Sequence, residues 1–303
     1  MHDLIGDIHG HAGALVRLLQ MLGYSRRDGV YRHPTRQAIF LGDFIDRGPA
    51  IGETLAIVRS MVDTGAALAV MGNHELNALA FHAADPFAPG EHLRRHNEAH
   101  SRQHAETIRQ LSKREMASAL DWFRTLPLWL DLDACRVVHA CWDARHVARI
   151  AQAVGGGPLD DDLLVAACRR DGRLFGAVEA LLKGKDARLP EGFSNIDKDG
   201  HVRQTARMRW FDDPAGHTIG SYALEGIACD APLPQAVLDA ASPYPKNDKP
   251  AFIGHYWMRG ERPVLLTANI ACLDWSIAKG GFLCAYRHDG ETRLTADHFV
   301  WSA

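Results

Sequence analysis

An excess of charge of either sign is missing from this 303-residue chain: 34 Lys and Arg face 37 Asp and Glu, for a formal net charge of −3. Bulk cationic attraction for nucleic acid or for a membrane is thereby excluded as the basis of its function, while a local basic patch is not. No apolar run reaches 18 residues, so no membrane-spanning helix is expected. Residues 1–10 lack the charged segment and following apolar stretch of a secretory leader. Cys135, Cys141, Cys168, Cys229, Cys272 and Cys284 include no C-x-x-C pair, and the expectation is reduced, buried thiols in a cytoplasmic protein. No G-x-G-x-x-G follows the first strand and no G-x-x-x-x-G-K-S/T occurs, which sets aside a Rossmann dehydrogenase and a P-loop enzyme. Internal repeats and low-complexity segments are absent as well.

The first 80 residues alternate in type. "DLIGD", "QAIFLGD" and "AALAVMGN" read as strands. Between them lie "HAGALVRLLQMLG", with Leu15, Leu18, Leu19 and Leu22 at helical spacing and Gly23 as its stop, and a helix from Ala50 to about Asp63. "ELNALAFH" opens another. This alternation predicts an α/β layered structure with a largely parallel sheet. Residues 91–126 read as helices without strands. Residues 155–250, broken by "GGGP", "DKDG", "DDPAG" and "SPYPKNDKP", read as loops and short helices. "AFIGH", "PVLLT", "NIACLD", "GFLCAYR" and "TRLTADHFV" read as closing strands, mostly antiparallel.

Histidine is abundant, at 17 residues, and its placement is not random. Each early strand ends in a glycine followed by groups that favour metals: "GDIHG" (6–10), "GDFIDRGP" (42–49) and "GNHE" (72–75). Ligands of an open α/β sheet gather outside the carboxyl ends of its strands. Three neighbouring strands would therefore bring Asp7, His9, Asp43, Asn73 and His74 to one edge, and "RVVHAC" and "AFIGHYW" would add His139 and His255. Taken singly, a Gly-Asp pair is a turn, a strand-end histidine is solvated, and "GNHE" is a helix cap. Taken together and in order, they are a donor set for hard or borderline cations such as Mn, Fe, Zn or Mg. There are enough donors for two cations bridged by a carboxylate, an arrangement whose usual task is displacement at phosphorus.

The set resembles the calcineurin-like metallophosphoesterases, and most of all their phosphoprotein phosphatase branch, over residues 3–80, 136–143 and 252–287. The resemblance implies a layered α/β/β/α sandwich forming one catalytic domain over 1–303, with cap or specificity inserts at about 81–130 and 145–250. It implies that Asp7 and His9 hold a first metal, that Asp43 bridges, and that Asn73, His139 and His255 complete a second. The two ions, manganese above all, would present a hydroxide for in-line attack. Arg47 would grip the phosphate oxygens, and His74, held by Asp46, would protonate the leaving oxygen. Glu75 reads as a helix-start carboxylate or structural partner, and Asp274 as a support for the metal site. Arg207 or Arg209 could add a second phosphate contact, with a surface arginine as the plainer reading.

Two departures narrow the choice. Where many members of the superfamily read G-H-x-H, this chain reads "GHYW", with Trp257 in the last place. Asp46, which the symmetrical diadenosine hydrolases lack, tips the reading toward phosphomonoesters, phosphoserine or phosphothreonine in proteins among them. The alternative enzyme is a dinucleoside polyphosphate hydrolase, and a third possibility is a non-catalytic binder of phosphorylated partners. Partners are thus a phosphoprotein or a nucleotide, with neither a membrane nor strong nucleic-acid binding expected. His92, His96, His100 and His104 recur every four residues and read as a stripe on one helix face: solvent-facing, a lid over the substrate, or an adventitious metal site from an i, i+4 pair. His11 and His217 have no assigned role.

Overall fold

The computed structural model describes residues 1–155, 159–196 and 202–302. The first half runs β1 (His2–Ile5), α1 (Ala12–Met21), the small hairpin β2 (Ser25–Arg27) and β3 (Val30–Arg32), β4 (Gln37–Phe40), α2 (Ile51–Asp63), β5 (Ala67–Ala69) and α3 (Asn73–His82). Two helices follow, α4 (Glu98–Gln110) and α5 (Lys113–Phe123), then β6 (Trp129–Asp131), β7 (Arg136–Val138), α6 (Ala144–Val154), α7 (Asp161–Cys168) and α8 (Phe175–Lys183). A run of short elements comes next: β8 (Asp186–Arg188), β9 (Asn195–Ile196), β10 (Val202–Arg203), β11 (Thr205–Arg207), α9 (Ile219–Tyr222) and α10 (Gln235–Asp239). The chain closes with β12 (Ala251–Ile253), β13 (Ile270–Cys272), β14 (Asp274–Trp275), β15 (Phe282–His288) and β16 (Phe299–Ser302).

Two sheets face each other. The first has the order β14-β15-β1-β4-β5, with β16 on β15; β1, β4 and β5 are parallel and β15 runs against β1. The second has the order β13-β12-β7-β6. Period-two alternation assigns the faces. Leu4, Ile39, Val137, Phe252, Ala271, Cys284 and Tyr286 meet in one buried cluster between the sheets. Their chain neighbours Ile5, Phe40, Val138, Ile253 and Ala285 turn outward into the helix-covered core. Leu15, Leu18, Leu19 and Leu22 of the α1 region are fully buried in that outer core, and Gly23 ends the helix at φ 88°. The α/β/β/α sandwich expected from the sequence is the architecture observed. Among the described residues no helix is long and apolar enough to cross a membrane.

Three local expectations need correction. "PVLLT" is no strand: the Leu266 and Thr267 amides both donate to Ile270 O, folding the segment back on β13 and leaving Val264 exposed. "TRLTADHFV" begins with a loop and a 3₁₀ turn over Ala296–His298, and only β16 extends. The closing strands are mostly antiparallel, as expected, with β12 the exception, parallel to both β7 and β13. The stretch 155–250 holds two full helices and two strand pairs, β8–β11 and β9–β10. Of its turn signals, residues 156–158 of "GGGP" and all of "DKDG" (197–200) lie outside the described residues.

Asp143 ties the later helices to this frame. It caps α6 by accepting from Arg145 N (3.0 Å), and it also takes the Arg145 guanidinium (3.0 Å) and Lys185 Nζ (2.7 Å). Burial pushes its carboxyl up, but the hydrogen bonds from Arg145 and Lys185 outweigh that and hold it well below the usual carboxylate range. A group depressed in this way stabilises the fold above its unfolded pKa, and the contribution fades as pH falls through the folded value. Asp143→Asn should cost about 2 kcal/mol at pH 7 in urea melts. The gap to the unmodified chain should shrink below about pH 4, and a gap that is constant with pH would refute the ionic account.

Candidate functional site

Strand ends from both sheets converge at one edge. Asp7 and His9 follow β1, Asp43 follows β4, and Asn73 and His74 start α3 after β5. The second sheet adds His139 after β7 and His255 after β12. All seven are buried. The expected residues are thus brought together, in a backbone conformation that is costly. Among the described residues eight non-glycine positions have positive φ, and six of them are His9, Asp43, Asp46, Arg47, His255 and Trp257. Left-handed geometry costs an ordinary L residue about 1–2 kcal/mol, Asp and His less than most, so other contacts must hold these turns.

Glycine and Glu75 supply those contacts. A Cβ on Gly254 would sit 2.0 Å from Asp7 Oδ1, and one on Gly72 would sit 2.3 Å from Asp43 Oδ1. Only glycine lets the backbone come this close to the carboxylates. Glu75 is fully buried and accepts from three backbone amides, Asp43 N (2.8 Å), Phe44 N (2.8 Å) and Gly72 N (3.0 Å). Its carboxylate ties two of the three motifs together, as expected of a structural partner. Burial, and then Asp43, push its pKa up to about 7.

The donor atoms form two groups, His9 with Asp43 and His74, and Asp7 with Asp43 and His139, the atoms of each lying within 4.8 Å of one another. Asp43 belongs to both, through His9 Nε2 at 3.6 Å and His139 Nε2 at 3.4 Å. Asn73 Oδ1 lies 3.2 Å from His139 Nε2 and 2.7 Å from His255 Nδ1. The fit to divalent cations rests on three features. His9 Nδ1–H donates to Ile45 O (3.0 Å) and His139 Nδ1–H to Leu41 O (2.7 Å), which turns each Nε2 toward the carboxylates. Asp7 Oδ1 is buried with no hydrogen-bond partner, while Oδ2 accepts from His255 N (3.0 Å). The electrostatics also require positive charge: burial and then Asp274 push Asp7 well above the carboxylate range. For His139, burial lowers the pKa but Asp43 and Asp7 outweigh it, to about 10. Burial likewise raises Asp43, yet His139 and His74 hold it well below its usual value.

Beside this pocket, Asp46 Oδ2 is 2.5 Å from His74 Nδ1. Arg47 lies with its guanidinium carbon 4.7 Å from the centre of the Trp257 indole, so the tryptophan that departs from G-H-x-H forms a cation–π shelf for the arginine. Asp274 accepts from Trp257 N (2.8 Å) and Ser276 N (3.0 Å), holding the turn after His255. Arg207 Nη1 reaches His255 O at 3.4 Å, while Arg209 is tied to Asp212 at 2.7 Å. His217 bonds the Ser221 hydroxyl.

The histidine stripe is not one helix face. His92 and His96 precede α4 and stack on each other with centroids 4.0 Å apart, and His96 stacks in turn on Phe81. His104 is buried and bonds Asp46 Oδ1 at 2.8 Å, as does Thr107 at 2.5 Å. The sequence reading singled out His104 only as part of the stripe, and it missed Thr107. Their signal, a His and a Thr one turn apart in a helix whose other residues are mostly polar, is too weak to read without the tertiary contact. Glu75→Ala leaves three buried amides without an acceptor and should cost at least about 3 kcal/mol in chemical denaturation; a loss under about 1 kcal/mol would refute its bracing role.

Comparison with known proteins bears on this edge. Residues 3–148 match the family model described as calcineurin-like phosphoesterase. An asymmetrical bis(5'-nucleosyl)-tetraphosphatase PrpE of Geobacillus sp. strain WCH70 is 44% identical over 73 residues, 24% of this chain and 30% of the relative, so the chain spans under a third of that relative's length. A symmetrical bis(5'-nucleosyl)-tetraphosphatase of Methylobacillus flagellatus is 28% identical over 230 residues, covering 69% of this chain and 75% of the relative. A protein serine/threonine phosphatase from Saccharomyces cerevisiae shares the fold, with TM-score 0.52 and 15% identity over 99% of this chain and 78% of that one. Residues 3–148, which carry the three strand-end motifs and His139, are thus the part of the chain that matches the calcineurin-like phosphoesterase model.

Proposed function

We propose that the chain is a divalent-metal-dependent phosphoesterase that hydrolyses phosphomonoesters, phosphoserine and phosphothreonine side chains among them. In this reading 1–303 is one catalytic domain, and the segments about 81–130 and 145–250 are inserts that shape its substrate site. Asp7, His9, Asp43, Asn73, His139 and His255 would hold two cations, with Asp43 shared, and manganese is favoured over Fe, Zn or Mg. The cations would neutralise the clustered carboxylates and the phosphate, and would acidify a water to serve as nucleophile.

The chain's own residues do the rest. Arg47, steadied by Trp257, pairs its guanidinium fork with phosphate oxygens. His74 passes its Nε2 proton to the departing oxygen while Nδ1–H stays on Asp46. The observation that carries the proposal is this adjacency: a buried imidazole on a committed carboxylate, 3.8 Å from the Asp43 oxygen of the donor cluster. A non-catalytic phosphate binder has no use for such an acid.

A second reading has its own support in the names of the relatives, bis(5'-nucleosyl)-tetraphosphatases of both the asymmetrical and the symmetrical kind. The same groups would then cleave a phosphoanhydride, and a nucleotide would leave. Product analysis on manganese-loaded protein decides between them, with p-nitrophenyl phosphate, a phosphothreonine peptide and diadenosine tetraphosphate in parallel. Phosphate release from the peptide with the dinucleotide intact is the expected result; preferential dinucleotide cleavage would replace the first reading by the second. Asp43→Asn should lose at least one bound manganese by elemental analysis and slow turnover by about a hundredfold or more. Full activity in that variant would end the shared-carboxylate assignment.

A further inference from the structure

One face of α4 lies against the loop that carries Asp43, Asp46 and Arg47. Gln103, His104, Thr107 and Gln110 share that face at spacings of one, four and seven residues. Gln110 grips the far end of the loop: its amide donates to Gly48 O (2.9 Å), and its Oε1 accepts from Ile51 N (2.8 Å). Thr107 grips the middle, donating to Asp46 Oδ1 (2.5 Å) and accepting from Asp46 N (3.0 Å). His104 adds a second donor to the same oxygen. Asp46 and Arg47 have φ of 66° and 69°, so this is the stretch of backbone most in need of holding.

Both oxygens of Asp46 face imidazoles, His104 Nδ1 on Oδ1 and His74 Nδ1 on Oδ2. Burial raises the Asp46 carboxyl, but the hydrogen bonds from His104 and His74 outweigh it and keep the group ionised. An ionised carboxylate only accepts, so both imidazoles must present Nδ1–H to it. On its other side, His104 Nε2 lies 3.2 Å from Nε2 of His82, at the exposed end of α3. Burial, and then His104, push His82 down to about 4, so His82 is neutral near pH 7 and one proton is shared between the two rings. On the other side of His74, the Gln103 amide nitrogen lies 3.2 Å from Nε2; it donates there while Nε2 is unprotonated and gives way once that nitrogen carries the proton.

We infer that His104 is a positioning residue for the leaving-group acid: by occupying Oδ1 together with Thr107 it commits Oδ2 to His74 Nδ1, which aims the His74 Nε2 proton at the departing oxygen. The inference rests on the proposed role of His74 as that acid. The proton balance is simple. Nε2–H of His74 goes to the leaving oxygen as the P–O bond breaks, while Nδ1–H of His74 and Nδ1–H of His104 both stay on Asp46. A residue acting in this way matters most when the leaving group is poor, because a good leaving group departs without help from an acid.

The test measures kcat, KM and bound manganese on p-nitrophenyl phosphate and phenyl phosphate for His104→Ala, His104→Asn and His74→Asn. The amide nitrogen of Asn lies where Nδ1 of histidine does, so it can still donate to Asp46. His104→Ala should lose about tenfold more kcat on phenyl phosphate than on p-nitrophenyl phosphate, with KM and manganese content held within about twofold. His104→Asn should recover most of that loss. If His104→Ala does not fold, His104→Gln takes its place, since its amide lies toward Nε2 and should leave the selective loss in force. Equal losses on the two substrates, or an Asn form no better than Ala or Gln, would overturn the inference. His74→Asn separates the two levels. A selective loss there without one at position 104 removes only the inference, whereas no selective loss at position 74 removes the acid assignment and the inference with it.

Discussion

Four carboxylates, Asp7, Asp43, Asp46 and Glu75, are buried at one edge of the sandwich, and the local structure is organised by the need to satisfy them. A buried anion without partners is among the most costly things a fold can contain. Glu75 is answered by three backbone amides, Asp46 by two imidazoles and a hydroxyl, and Asp43 by histidines and the His74 amide. Asp7 is answered least, with one oxygen on His255 N and the other bare. That gradient is informative. Glu75 and Asp46, outside the proposed ligand set, are fully satisfied by protein, and Asp7, within it, is left incomplete.

The left-handed turns follow from the same constraint. To bring several carboxylates and imidazoles within a few ångströms, each strand must end and reverse over two or three residues. His9, Asp43, Asp46, Arg47, His255 and Trp257 take up that reversal. At Gly254 and Gly72 a side chain would occupy the space of a carboxylate oxygen delivered from a neighbouring strand end, Asp7 Oδ1 and Asp43 Oδ1 in turn. Strain of this kind persists only where the surroundings over-determine it. Here Glu75 and the inner face of α4 do so.

Much of this edge was legible in the sequence because its signals are local. Short apolar runs marked β1, β4, β5, β12 and β15, and a glycine with a polar residue marked where each of the first strands stops. The three Gly-led motifs and two later histidines therefore named the residues that converge. What was not legible depends on contacts distant in sequence. His104 sits in a helix of high charge content and reads as surface; it is buried only because α4 folds onto a loop some 60 residues earlier. The segment "PVLLT" has strand composition, but its amides find Ile270 O before any neighbouring strand. Trp257 was legible as a departure from a motif, and its stacking on Arg47 was not.

The donor cluster also lies across the seam between the two sheets. Asp7, Asp43 and Asn73 come from the ends of one sheet, while His139 and His255 come from the other, and the covalent paths between the two groups are long. An ion bound by both groups is a cross-link between layers otherwise joined largely by apolar contact. Its affinity then includes the work of keeping the sandwich closed, and whatever loosens the packing of Leu4, Val137 and Phe252 also weakens the grip on the ion. Core and active edge are in this sense two ends of one equilibrium, and a substitution deep in the apolar layer can present itself as a defect in metal uptake.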